Sequence, residues 1–423
     1  MADKQLYKYL PKLRFPEFKN DGEWETYTLE ELFEIRNGYT PSKSNPNFWD
    51  GGTIPWFRME DIRQNGHILS DSIQHITPAA VKGTGLFPAY SIIVATTATI
   101  GEHALIIADS LANQRFTFLT KRKSHDKQID MMFFHQYMFI IDEWCKKNTN
   151  SGGLLSVNMP AFKRLNVPLP SINEQKAIAS CLTSLDAYIS ASKAKLEQLK
   201  AHKKGLMQNL FPAPGKTLPE YRFPEFKNDK EWEDRLLGDI GDTYSGLTGK
   251  NSSDFGHGDA EYITYMNVFS NQIVNSKLNQ PIEIDSKQHQ VKYGDVLFTI
   301  SSETPEEVGM SSVWLEKKNN VYLNSFCFGF RLRESFDLIF ISYFLRSPSF
   351  RKRMIVLSQG IARYNISKNR VMELTIQFPS QKEQKMIADC LYSLDEKISF
   401  YSQKISSLEE HKKGLMQQLF PQM

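Results

Sequence analysis

The stretch that decides the architecture is Pro170-Ser-Ile-Asn-Glu-Gln-Lys-Ala-Ile-Ala-Ser-Cys-Leu-Thr-Ser-Leu-Asp186, because it is written again as Pro379-Ser-Gln-Lys-Glu-Gln-Lys-Met-Ile-Ala-Asp-Cys-Leu-Tyr-Ser-Leu-Asp395. Each copy opens an apolar series in steps of four and three. The first runs Ile178, Leu182, Leu185, Ile189, Leu196, Leu199, Leu206 and Leu210, with Ser192 and Lys203 in the two remaining places. The second runs Ile387, Leu391, Leu394, Ile398, Tyr401, Ile405, Leu408, Leu415 and Leu419, interrupted by Lys412. A sustained 3.5-residue period predicts a coiled-coil seam. A helix of some 38 residues would be about 57 Å long. Ser171 and Ser380 are expected N-caps, with Glu174 and Glu383 three residues on as capping-box partners. Phe211-Pro212 and Phe420-Pro421 are the expected stops. The simplest way to cover both stripes is for the two helices to pair; two separate amphipathic core helices are the alternative.

Working outward, the duplication is larger than the helices. Leu10-Pro-Lys-Leu-Arg-Phe-Pro-Glu-Phe-Lys-Asn-Asp21 returns as Leu218-Pro-Glu-Tyr-Arg-Phe-Pro-Glu-Phe-Lys-Asn-Asp229, and His202-Lys-Lys-Gly-Leu-Met-Gln208 returns as His411-Lys-Lys-Gly-Leu-Met-Gln417. A period of about 208 residues is far too long for a solenoid and marks a tandem duplication of a domain plus a helix. More than half the positions agree over 170–212 and 379–421, whereas 44–167 and 251–376 share only echoes such as Ile54-Pro-Trp56 against Ile263-Thr-Tyr265. The frame persists and the filling differs. The expected organisation is a domain over 1–170, a helix over 171–212, a linker over 213–219, a second domain over 220–379 and a second helix over 380–423. Short β-rich runs (Ser91 to Thr96, Ile106 to Ala108, Val296 to Ile300, Phe326 to Leu332) and one helix per insert, at about 131–147 and 336–353, give a mixed α+β class.

Composition bounds the function. The 423 residues, 41% hydrophobic and 23% charged, describe a folded chain of about two to three domains. A net charge of +3 excludes a histone-like polycation but not a nucleic-acid binder with a basic face. Four isolated cysteines (Cys145, Cys181, Cys327, Cys390) support neither a zinc ribbon nor a disulfide framework. The expected setting is a reducing cytoplasm, with Cys181 and Cys390 as buried packing residues. No signal core opens the sequence, and Ile92 to Ala108 reads as buried strands rather than a membrane span.

No phosphate loop, GxGxxG, HExxH or amino-methyltransferase Asn/Asp-Pro-Pro-aromatic motif occurs. Asp295 with Glu316 and Lys318 imitates the Asp…Glu-x-Lys pattern of metal-dependent nucleases, but has no counterpart in the first copy. No catalytic and no metal-ligating residue is therefore assigned. Basic residues are more informative: Arg346, Arg351, Lys352, Arg353, Arg363, Lys368 and Arg370 gather around Gly360, and Lys121-Arg-Lys123, Lys146-Lys147 and Lys163-Arg164 around Gly152-Gly153. Such groups can neutralise phosphates. The glycine-bearing loops Asn37 to Lys43 and Ser245 to Lys250 are candidates for close approach to a DNA backbone, through Thr40, Ser42, Lys43 and Lys250. Arg58, Asn267, Arg363 and Tyr364 are the nominees for reading bases, and the aligned aromatics Trp56 and Tyr265 are further DNA-binding candidates.

These features together resemble the specificity (S) subunit of type I restriction–modification systems. The marks are the two copies of Pro-x(3)-Glu-Gln-x(2)-Ile-Ala-x(2)-Leu-x(2)-Leu-Asp, each closing a variable domain and opening a heptad helix; the lysines in the seams are the one departure. The resemblance implies two target-recognition domains separated by an antiparallel two-helix coil with pseudo-twofold symmetry. Each domain would read one half of a split, asymmetric site in double-stranded DNA. Two modification (M) subunits, with S-adenosylmethionine chemistry for adenine N6 methylation, would dock on the scaffold formed by Ile178, Leu182, Leu185, Ile189, Leu196, Leu199, Ile387, Leu391, Leu394, Ile398, Ile405 and Leu408. Restriction (R) subunits would bring ATP, Mg and cleavage, so this chain needs no cofactor of its own. Half-sites of dimeric readers commonly lie about one DNA turn (~34 Å) apart, and a rigid coil would fix such a gap. A metal-dependent endonuclease and a scaffold that binds only protein are the competing readings.

Overall fold

A computed structural model describes residues 9–150 and 155–421. The chain divides into two compact units, one running to Ser192 and resuming at Lys404, the other covering Lys193–Gln403. The division falls inside both long helices, Ile172–Asn209 and Gln381–Leu419, so each unit holds the start of one and the end of the other.

The first unit is built on a five-stranded sheet ordered Phe33–Asn37, Phe116–Lys121, Ser91–Ala95, His103–Ile106 and Ile68–Leu69. Alternate side chains of a strand face opposite ways. Ile92 and Val94 accordingly enter one core with Leu105 and Leu119, while Ile93 and Ala95 enter another with Phe116 and Phe118. Both faces are covered, which is why this segment reads as an unbroken apolar run. The helix Met131–Lys147 has the expected bounds, its first turn capped by the Asp130 carboxylate accepting from the Phe133 amide at 2.9 Å.

The second unit has a four-stranded antiparallel sheet, Gly241–Ser245, Cys327–Leu332, Val296–Thr299 and Ser311–Val313. The single helix expected over 336–353 is instead two, Leu338–Phe344 and Pro348–Val356. Pro348 cannot donate a backbone hydrogen bond, so it ends the first helix and starts the next, with Ser347 as the new N-cap. In each unit a strand near the start pairs antiparallel with the strand leading into the long helix: Glu25–Thr28 with Asn166–Leu169, and Glu233–Leu236 with Thr375–Phe378.

Each core is closed by both long helices. In the first unit Ile178 and Leu182 meet Leu419 and Phe420; in the second, Ile387 and Leu391 meet Leu210 and Phe211. Within each unit the two helix segments therefore run antiparallel. All twelve scaffold residues named from the sequence are buried or half-buried, with Leu185, Leu196, Ile398 and Leu408 in the half-buried class. Cys181 and Cys390, expected to be buried, are only partly covered. No helix among the described residues is long and apolar enough to cross a membrane.

Candidate nucleic-acid interface

The repeated motif proves to be a set of docking groups. Ser171 and Ser380 do accept from the amides of Glu174 and Glu383, each at 3.4 Å, but the two glutamates do not return the bond of a capping box. Their carboxylates turn inward to Arg14 and Arg222 of the repeated Arg-Phe-Pro-Glu-Phe block. Arg14 grips Glu174 through Nε and Nη2, both at 2.7 Å, and Arg222 grips Glu383 at 2.9 and 2.8 Å. Both carboxylates are 1% exposed. The neighbouring glutamines pin the insert helices: Gln175 Oε1 accepts from the Asp130 amide and Gln384 Oε1 from the Asp337 amide, at 2.9 and 3.1 Å. Asp186 and Asp395, closing the motif, receive the two lysines that interrupt the seams. Lys412 reaches Asp186 and Lys203 reaches Asp395, both at 2.6 Å. A charged residue in an apolar seam specifies register at some cost in stability, and here each finds its counter-ion on the opposing helix.

In the first unit, the nominated residues cluster around the loop Asn37 to Lys43. Gly38 is required there because a Cβ would lie 2.3 Å from Ala112 O. The close approach is to the protein's own sheet, and the same holds at the aligned Gly246, whose Cβ would lie 2.1 Å from Asn324 O. Ser42 and Lys43 are exposed, Thr40 is half-buried against Gln114, and the loop is held by indole donors: Trp56 Nε1 to Tyr39 O and Trp49 Nε1 to Ser42 O, each at 3.0 Å. Trp56 is 2% exposed, so it supports the surface and is not on it. Arg58 is half-buried 6.0 Å from the Trp56 ring and 3.9 Å from Glu60.

In the second unit, Tyr265 and Arg363 line one cavity, and Tyr364 lies beside it on the strand paired with Ser301–Ser302. Lys250 is not among that lining and pairs with Asp285 at 2.8 Å. Asn267 does not face DNA as its sequence context suggests. It is 1% exposed, and its amide is committed to Asn275 O and Asn279 Oδ1 at 2.8 and 3.1 Å, so it fixes a turn and offers nothing to a base. The basic cluster is also thinner than its sequence. Arg346 donates to the carbonyls of Ser311, Val268, Phe269 and Asn271, and Arg351 to those of Gly309, Glu306 and Val308. Burial pushes both guanidinium groups down to about 10. Arg353 is tied to Thr375 O and Gln377. That leaves Lys352, Arg363 and Arg370 exposed and Lys368 half-buried. In the first insert, Lys121 pairs with Asp126 and Arg122 donates to Glu30 O. The Gly152-Gly153 loop lies outside the described residues.

The family described as the type I restriction modification DNA specificity domain matches residues 21–201 and again 229–410, once over each copy. The chain belongs to this family. Among curated members, the EcoprrI specificity subunit of Escherichia coli is 48% identical over 172 residues, spanning 40% of this chain and 43% of that one. The MjaVIII specificity subunit of Methanocaldococcus jannaschii is 26% identical over 311 residues, 70% of this chain and 71% of its own. The S subunit structure from M. genitalium shares the fold with a TM-score of 0.55 at 16% identity, covering 98% of this chain and 99% of that one. The HsdS structure from Thermoanaerobacter tengcongensis gives 0.50 at 15% identity, covering 95% and 99%. Specificity subunits are the non-catalytic, DNA-recognising components of type I systems, and this chain is one of them.

Membership also accounts for Asp295, the residue on which a nuclease reading would rest. It is 1% exposed and fully engaged: Arg331 Nε and Nη2 donate to it at 2.8 and 2.7 Å, and Tyr244 Oη at 2.7 Å. Burial and the adjoining carboxylate push the Tyr244 hydroxyl well up. Lys318 pairs with Glu261. In this specificity subunit Asp295 anchors a sheet. Sequence reasoning missed Arg14, Arg222 and the Gln175–Asp130 bond; the signal available was their repetition in both copies.

Proposed function

We propose that this chain directs a type I restriction–modification complex to a bipartite, asymmetric DNA sequence, each insert reading one half. The observation that carries the reading is the contrast between two copies of one docking frame and two unlike inserts, within a family match that covers both copies. Equal frames suit two copies of a methyltransferase (M) subunit; unequal inserts suit two different half-sites. S-adenosylmethionine, ATP and Mg would belong to the M and R partners, and the complex would work in the cytoplasm. The paired helices would set the gap between half-sites, so removing one heptad from both should change that gap and leave the half-sites unaltered. The endonuclease reading loses its support with Asp295 sealed against Arg331. The experiment is binding of defined duplexes by the chain with its M partner. Sequence-dependent binding that weakens steeply with salt, without methyl transfer by the chain alone, is expected. Methyl transfer by the isolated chain, or sequence-independent binding by the complex, would overturn it.

A further inference from the structure

The second unit contains a cavity of about 390 Å³ whose lining combines aromatic, acidic and basic groups, at the small end of ligand-site volumes and sufficient for one planar ring system. One wall is the helix Tyr265–Ser270, on which Tyr265 and Phe269 stack with centroids 5.9 Å apart. The opposite wall is the segment from Ser301 through the turn Pro305–Glu307. Tyr265 Oη ties the two by donating to Ser301 O at 2.6 Å. Each wall is also held by a half-buried arginine. Arg346 binds the carbonyl end of the Tyr265 helix, through Val268, Phe269 and Asn271, and Arg351 binds Glu306, Val308 and Gly309. A cationic group at a helix C-terminus is favourably placed, and walls fixed this way are organised before any ligand arrives.

The groups facing the cavity are unusual for a surface left alone. Met266 and Phe326 are 58% and 57% exposed. Exposed apolar groups clustered beside charges mark a contact surface. Among the described residues, Glu303, Glu307 and Arg363 enter no ion pair, although all three line the same cavity. A carboxylate facing DNA repels phosphates, so it contributes nothing to general affinity; its use is discrimination. On the base edges presented in the major groove, the donors are the exocyclic amino groups of cytosine and adenine, and Glu accepts from cytosine N4.

Resting on the function proposed above, we propose that this cavity is the base-reading site of the second insert, with Glu303 and Glu307 accepting from the exocyclic amino group of a cytosine or adenine and Arg363 contacting the adjoining base or phosphate. The first unit has buried Trp56 where the second has Tyr265, so the site belongs to one half-site only.

The test is selection of preferred duplexes from a randomised pool by the full chain assembled with its methyltransferase partner, for the wild type, Glu303→Gln, Glu307→Gln and the double variant. The exposed, isosteric substitutions leave the fold intact, which retention of the other half-site certifies. The expected result is a roughly tenfold or greater loss of discrimination at one base-pair position of one half-site. Binding to unrelated duplex should rise, because a negative charge has been removed. Unchanged preference at every position in the double variant would overturn the inference, as would loss of both half-sites together, which would mark the glutamates as structural. A wild-type complex that selects no sequence at all would count against the function reading itself.

Discussion

The two copies of the repeat make the same bonds with the same residues at their edges and different bonds between them. Arg14 and Arg222 grip Glu174 and Glu383; Lys412 and Lys203 reach Asp186 and Asp395. Between those fixed points, the first unit buries His103 against Asp142 at 2.6 Å and His135 with no hydrogen-bond partner for its ring nitrogens among the described residues, while the second buries Asp295 against Arg331 and Tyr244. One helix runs unbroken over Met131–Lys147, and its counterpart is cut at Pro348. On the function proposed above, the equal frames are held by polar constraints and the inserts that would read DNA are where the two copies differ.

The largest effect should come from the shared frame. Arg14→Ala strands a buried Glu174 and should cost about 3–5 kcal/mol, with Arg222→Ala costing the same. Hydrogen exchange should show each variant loosening its own unit first; equal loosening of both units by either variant would break the comparison.

A smaller, pH-dependent effect should separate the units. Burial pushes His135 down to about 3, so the folded first unit keeps it neutral while the unfolded chain protonates it below its ordinary value of 6.5. Stability from this group is complete above that value and is lost as pH falls towards 3, by about 1.4 kcal/mol per pH unit. Burial raises Asp142 to about 8, and its contribution is lost as pH rises towards that value. The second unit has Ser342 at the position aligned with His135. His135→Phe should make the acid limb of first-unit stability, followed by exchange or melting between pH 7 and 5, shallower; the remainder belongs to His103, which burial also holds down to about 3. An unchanged limb would show that other groups govern it.

The seam lysines come next. Both pairs are partly exposed, so Lys203→Ala or Lys412→Ala should cost only about 1 kcal/mol. Exchanging the charges of Lys203 and Asp395 should recover part of that loss in a double-mutant cycle. The smallest effect is at Lys250, tied to Asp285 at a surface: Lys250→Ala should leave the melting transition essentially unchanged.

Those magnitudes follow what could be seen in the sequence. The long helices, the duplication and the Met131–Lys147 helix were legible because periodicity and repetition survive without knowledge of partners. The split at Pro348 was legible in principle, since a proline cannot sit in a helix interior. The roles of Arg346, Arg351 and Asn267 were not: a positive charge looks the same in sequence whether it faces phosphate or caps a carbonyl cluster. The cavity at Tyr265 was half-visible. Tyr265 and Arg363 stand out in the sequence, but Glu303 and Glu307 do not, because phosphate neutralisation points only to cations.

The central claim is that each insert independently reads half of one DNA word. It is tested most directly by mapping methylated adenines in cells carrying this chain and its M partner, before and after residues 44–167 are exchanged for another insert. The account predicts a bipartite motif in which the exchange rewrites one half and leaves the other half and the gap intact. A motif rewritten in both halves, or methylation with no bipartite motif, would contradict it.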